Sequence, residues 1–104
     1  MRLAQSEKEA ICEAFDAIFS AGEVILFGSR VDDTKKGGDI DLYLKVPKDE
    51  ASQQKKVDFL VRLRQKIYNK IDVVFAKDPT RPIEMTAQKG ILLYRKERDG
   101  STKN

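Results

Sequence analysis

The sequence predicts one α/β (α+β) domain built on a mixed β-sheet of about four strands, with helices packed mainly on one face. Three observations lead there. Apolar residues recur at helical spacing near the start of the chain, several short segments alternate apolar and polar residues or are β-branched, and the two kinds interleave in the order αββαβαβ. The length of 104 residues, 40% of them hydrophobic and 36% charged, suits a single compact core under a strongly solvated surface. The domain is expected over residues 1–97, with 98–104 as a frayed tail.

Residues 6–21 read as the first helix, because Ala10, Ile11, Ala14, Phe15, Ile18 and Phe19 form one apolar stripe. Ser6 with Glu9 makes a capping box, and Gly22 supplies a stop. Residues 23–27, with the run Val24-Ile25-Leu26-Phe27, suit a buried central strand. Residues 31–38 are polar and end in Gly37-Gly38, which is loop chemistry. Residues 39–45 alternate cleanly, with Ile40, Leu42 and Leu44 on one face and Asp39, Asp41 and Tyr43 on the other. Pro47 closes that strand. A long helix is expected over about 49–68, its buried side marked by Val57, Leu60, Val61 and Ile67. Residues 70–75 form a further strand with Ile71, Val73 and Phe75 on one face and Asp72 as its misfit. A turn between Pro79 and Pro82, a short helix over 83–89 stopped at Gly90, and an edge strand over 91–94 complete the pattern. Tyr43 is expected to pack against a covering segment with its hydroxyl in water.

Composition excludes several chemistries. The longest apolar runs, such as 24–27 and 91–94, fall far short of the roughly 18 residues that span a bilayer, and the first residues lack a secretory signal, so the expectation is a cytoplasmic protein without a membrane segment. Cys12 is the single cysteine and histidine is absent, which removes an internal disulfide, the usual zinc chemistry and the usual general base. Any catalysis must therefore use carboxylates. The net charge of +3 comes from 20 basic and 17 acidic residues spread along the chain, too balanced to argue for direct nucleic-acid binding.

The informative stretch is GSRVDDTKKGGDIDLYL, from Gly28 to Leu44. Side chains alternate on a strand, so Asp39 and Asp41 project from one face with α-carbons about 7 Å apart. Carboxylates that close repel unless a cation sits between them. Magnesium, which prefers oxygen ligands and is commonly shared between one or two carboxylates and substrate phosphates, suits this short ligand list. Asp72, on its own apolar strand, would make a three-acid cluster if that strand lies beside the first, and three acids can hold two metals about 3.5–4 Å apart. Gly28 lets a phosphate approach the backbone, Ser29 offers a hydroxyl, and Arg30 a charged contact. A lone Asp-x-Asp or Gly-Ser is usually just a loop or strand edge, and Lys35 and Lys36 are read as exposed loop lysines. The combination carries the argument.

Gly28-Ser29, a loop of nine residues, Asp39-Ile-Asp41-Leu on a strand and the later Ile71-Asp-Val-Val-Phe strand together resemble the nucleotidyltransferase superfamily related to DNA polymerase β. More narrowly, the chain resembles the minimal nucleotidyltransferases that partner HEPN toxins. The resemblance implies that Gly28, Ser29 and Arg30 bind the nucleotide. It implies that Asp39, Asp41 and Asp72 are the catalytic residues and metal ligands. The cofactors implied are two Mg2+ ions, with Mn2+ an alternative, and the substrate ATP or another nucleoside triphosphate. Transfer of a nucleoside monophosphate, AMP foremost, to a hydroxyl of a protein or RNA acceptor would follow. The implied partner is a helical HEPN protein encoded nearby, which makes this chain an antitoxin and allows an oligomeric assembly. Two other readings stand beside it: a non-catalytic module that masks its partner by contact, and a small-molecule transferase, for which the chain leaves little pocket wall.

Overall fold

The computed structural model describes residues 3–28 and 39–97. In chain order these form α1 (Gln5–Ile18), β1 (Gly22–Phe27), β2 (Ile40–Lys45), a 3-10 turn (Lys48–Glu50), α2 (Gln53–Arg64), β3 (Ile71–Phe75), α3 (Pro82–Ala87) and β4 (Ile91–Lys96). The four strands lie side by side in the order β3-β2-β1-β4. β1 runs antiparallel to both β2 and β4, and β2 runs parallel to β3, so the sheet is mixed.

Strand alternation divides the apolar residues between two layers. Val24, Leu26, Ile40, Leu42, Leu44, Ile71, Val73 and Phe75 face α1 and α2 and make the main core with Phe15, Phe19, Phe59 and Leu63. Its centre is aromatic: the Phe15 and Phe19 rings lie 5.0 Å apart, and Phe59 meets Phe19 edge-on at 5.8 Å. Among the described residues α3 covers part of the opposite face, where Ile25, Phe27, Tyr43 and Ala87 form a smaller cluster.

Both ends of α1 differ from the sequence reading. The helix starts one residue earlier, with Ala4 at the cap and its N–H donating to Glu7 Oε1 at 3.0 Å, so Ser6 lies inside the first turn and does not cap. It ends at Ile18, before Gly22. Phe19 turns extended into the core, and the Ser20 N–H donates to Glu50 Oε1 at 2.8 Å. Distant lysines satisfy the orphan carbonyls: Lys55 Nζ donates to Ile18 O at 2.8 Å, and Lys96 Nζ to Asp16 O and Phe19 O at 2.9 and 3.0 Å. Gly22 opens β1 instead, at φ +133°, where a Cβ would strike the Lys45 carbonyl oxygen.

The expected long helix over 49–68 is divided. A 3-10 turn comes first, and the Ser52 hydroxyl then caps α2 by accepting the Lys55 N–H at 3.2 Å. The buried stripe is Phe59, Leu63 and Ile67, whereas Val57 and Val61 are exposed. Spacing of four residues selects that stripe, and the two valines lie off it. β4 is an edge strand as read, extended by two residues to Lys96. Among the described residues no helix is long and apolar enough to cross a membrane. Cys12 sits half-buried on α1, where burial pushes its thiol up.

Candidate active site

β2 carries Asp41 between Ile40 and Leu42, both fully buried against the helices, so its carboxylate is turned to the opposite face. Asp39 immediately precedes β2 and is half-buried. In the parallel ladder Asp41 stands in register with Asp72 of β3, which places the two carboxylates on the same face of neighbouring strands. On its other side Asp41 is in register with Phe27, the last residue of β1.

Gly28 follows, at φ +80°, a conformation that a side chain disfavours. A Cβ there would run into the Asp41 carboxylate, 3.2 Å from its Cγ. The glycine therefore does two things: it lets β1 turn away from the sheet, and it leaves the space the carboxylate fills. Ser29 and Arg30, together with Lys35, Lys36 and Gly38, lie outside the described residues.

The acids feel one another. Burial raises the Asp41 pKa first, the charge of Asp72 adds to that, then the charge of Asp39, with Lys70 opposing. A carboxylate held among like charges is one that a cation would stabilise, so the donor set, three aspartates with oxygen donors only, fits a hard divalent metal. Among the described residues, however, no group of three acids stands close enough to hold a metal with the side chains as they are.

Two residues beyond Asp41 on the same face, Tyr43 is buried, and its hydroxyl donates to Glu84 Oε1 at 2.8 Å. The packing matches the sequence reading, but the hydroxyl is not in water. Burial, the hydrogen bond to Glu84 and the charge of Glu84 push the Tyr43 pKa up to about 12. Glu84 is fully buried and was not singled out by the sequence. It also accepts the Lys77 N–H at 3.0 Å, the Asp78 N–H at 3.0 Å and Arg81 Nη1 at 3.1 Å. Burial alone would raise its carboxyl, yet the Asp78 amide, Tyr43, the Lys77 amide and Arg81 outweigh it and hold the pKa below the ordinary value. Glu84 thus ties α3 and the segment before it to β2, two residues from Asp41.

A signal for Glu84 was scarcely present. It lies between Ile83 and Met85, which look more buried on paper and are 43% and 53% exposed. Only its spacing of three from Ala87, the other inward residue of α3, marks its face.

Residues 9–99 match the model of the family described as "Polymerase beta, Nucleotidyltransferase". A search of curated proteins found no match to the chain.

Proposed function

The chain belongs to the polymerase beta nucleotidyltransferase family, and on that premise we propose that it transfers AMP from ATP to a hydroxyl of a protein or RNA acceptor, with Asp39, Asp41 and Asp72 holding the divalent metal. The observation that supports this reading is the register of Asp41 with Asp72, Asp39 being two residues before Asp41. Members of the family typically use a nucleoside triphosphate and a divalent metal.

In this reading Gly28, Ser29 and Arg30 grip the triphosphate, the glycine by admitting it to the backbone and the other two by donating hydrogen bonds. The acceptor oxygen forms a bond to the α-phosphorus, the bond to the bridging oxygen between the α- and β-phosphates breaks, and pyrophosphate leaves. Asp72, the most exposed of the three acids, takes the acceptor proton. Mg2+ or Mn2+, when bound, neutralises charge that builds on the attacking and leaving oxygens. Asp39 and Asp41 hold their positions because the intervening Ile40 is locked in the core.

The biological role we propose is that of a cytoplasmic antitoxin that inactivates a HEPN partner by nucleotide transfer. Incubation with Mg2+, α-labelled ATP and the product of the adjacent gene tests this, and label on the partner is the expected result. Tight binding with no label from any nucleoside triphosphate would instead support a non-catalytic masking module.

A further inference from the structure

We infer that the free edge of β3 is a docking groove for an extended acidic peptide segment, which adds there as a further strand. Among the described residues β3 ends the sheet and pairs with β2 alone. The Ile40 N–H donates to the Lys70 carbonyl and the Ala76 N–H to the Leu44 carbonyl, each at 2.9 Å. These two bonds set the phase of the parallel ladder: Asp72 and Val74 turn their backbone groups toward β2, and Ile71, Val73 and Phe75 turn theirs outward. Among the described residues, the outward groups of Val73 and Phe75 have no backbone partner.

The same edge opens into a cleft of about 410 Å³ between the first turn of α2 and the segment after β3, with Gln53, Lys56, Val73, Phe75, Lys77 and Arg81 in its wall. Among the described residues three cations line it, Lys56, Lys77 and the Glu84-paired Arg81, and no acid does. Adjoining hollows that share Lys77 extend the positive lining to Lys48 and to Lys45, which also lies 3.8 Å from Glu23. Among the described residues Glu84 is the one acid those hollows reach, and it is already occupied by Tyr43, two amides and Arg81. An edge that offers both N–H and C=O groups in alternation matches a peptide backbone, which supplies both partners, whereas a phosphate chain uses the donors only. The cations then select acidic side chains.

Asp72 precedes Val73 on this strand, so a strand added at about 4.8 Å places one of its side chains beside the Asp72 carboxylate, on the same face. A serine, threonine or tyrosine there is the acceptor. Its oxygen would bond to the α-phosphorus while the bond to the α,β-bridging oxygen breaks, pyrophosphate leaves and the hydroxyl proton passes to Asp72. Lys77 follows Asp72 by five residues, about 16 Å along an extended chain, which sets the acidic residues about five positions from the acceptor. The acceptor step rests on the transfer proposed above, and the docking does not.

Fluorescence anisotropy of a labelled peptide of alternating glutamate and valine around one tyrosine, titrated with the full chain, tests the groove. The peptide should bind, and its lysine-for-glutamate counterpart should not. Lys56→Glu combined with Lys77→Glu should weaken binding by about tenfold or more. Val73→Pro removes an outward N–H and spares the ladder to β2, so it should weaken binding too. If circular dichroism shows that Val73→Pro is unfolded, the charge-reversed pair decides. No binding, equal binding of the basic peptide, binding unmoved by the charge reversal, or tighter binding of oligouridylate that Val73→Pro leaves unchanged would each overturn the groove. Docking without labelling of the tyrosine by Mg2+ and α-labelled ATP counts against the transfer reading and leaves the groove standing. Labelling unmoved by the charge reversal does the reverse.

Discussion

Replacing Asp72 by asparagine should stabilise the metal-free protein and at the same time abolish its stabilisation by metal. Asp72 and Asp41 face each other across neighbouring parallel strands, a spacing near 4.8 Å, so their charges lie about 5 Å apart. At that separation two like charges repel by about 0.8 kcal/mol in water and about 3 kcal/mol at an effective dielectric constant near 20. Asp72 is exposed and Asp41 half-buried, which places the pair toward the lower figure, about 1 kcal/mol. For a domain of this size that corresponds to a rise in Tm of about 4–8 °C. The sign in pH follows from the direction of the shift. Asp41 has a folded pKa above its ordinary value, so the native state holds its proton longer. Metal-free stability therefore falls as pH rises from the ordinary aspartate range through the raised value. Asp72→Asn should flatten that fall. Differential scanning calorimetry in chelator, repeated with Mg2+ over the same pH range, measures both effects, since metal that binds only the native state raises Tm. A variant that melts at or below the parent in chelator, or one that keeps the full Mg2+ response, would refute the claim that these carboxylates share one site.

Glu84→Gln should cost about 2–3 kcal/mol at neutral pH, because the charged acceptor of four donors is lost. The folded pKa of Glu84 is lowered, so the gap from the parent should be full above the ordinary glutamate range and close as pH falls through the lowered value, as urea unfolding at several pH values would show. Tyr43→Phe removes one of those donors and should cost about 1–2 kcal/mol in the same assay, less than Glu84→Gln. Gly28→Ala should destabilise by about 1–2 kcal/mol through its positive φ and should also blunt the Mg2+-dependent rise in Tm, because the new methyl displaces the Asp41 carboxylate. Asp39→Asn or Asp41→Asn should abolish label transfer with the circular dichroism spectrum unchanged, and retained turnover would remove these residues from the proposed ligand set.

What was legible in the sequence was whatever one period could express. Ile40, Leu42 and Leu44 against Asp39, Asp41 and Tyr43 is a period of two that only a strand satisfies, and the same reasoning separated Asp72 from Ile71 and Val73. What failed depended on distant partners. α1 stops at Ile18 because Glu50 takes the Ser20 amide and because lysines from α2 and β4 meet its last carbonyls. None of those partners is local to the helix end, so Gly22 looked like the stop. Val57 and Val61 are apolar and helical in spacing, but the cover they would need is absent, since the core takes Phe59 and Leu63 instead. Glu84 was hidden for a related reason. A glutamate reads as surface until four donors from three segments are known to surround it.

The acid end of this face depends on a choice of strand direction. Ligand sites on parallel sheets gather at the carboxyl ends of strands, yet Asp41 and Asp72 lie at the amino ends of β2 and β3. β1 resolves the difference, because it runs antiparallel to β2 and brings its own carboxyl end, Phe27 and then Gly28, beside Asp41. A turn that follows β1 and acids that begin β2 can meet only in that arrangement. A slip of one residue between β1 and β2 would bury Asp41 and expose Ile40 and Leu42. Ile40, Leu42 and Leu44 are all fully buried, and each would lose about 1.5–3 kcal/mol on exposure. The same alternation then gives Tyr43 to Glu84 and α3, two residues further along. One face thus has a closed half, pinned by a buried carboxylate with four donors, and an open half in which Asp41 feels the like charges of Asp72 and Asp39 with Lys70 opposing. The register that makes the core is also the one that keeps those like charges together, so the repulsion at Asp41 is held in place by the burial of its neighbours.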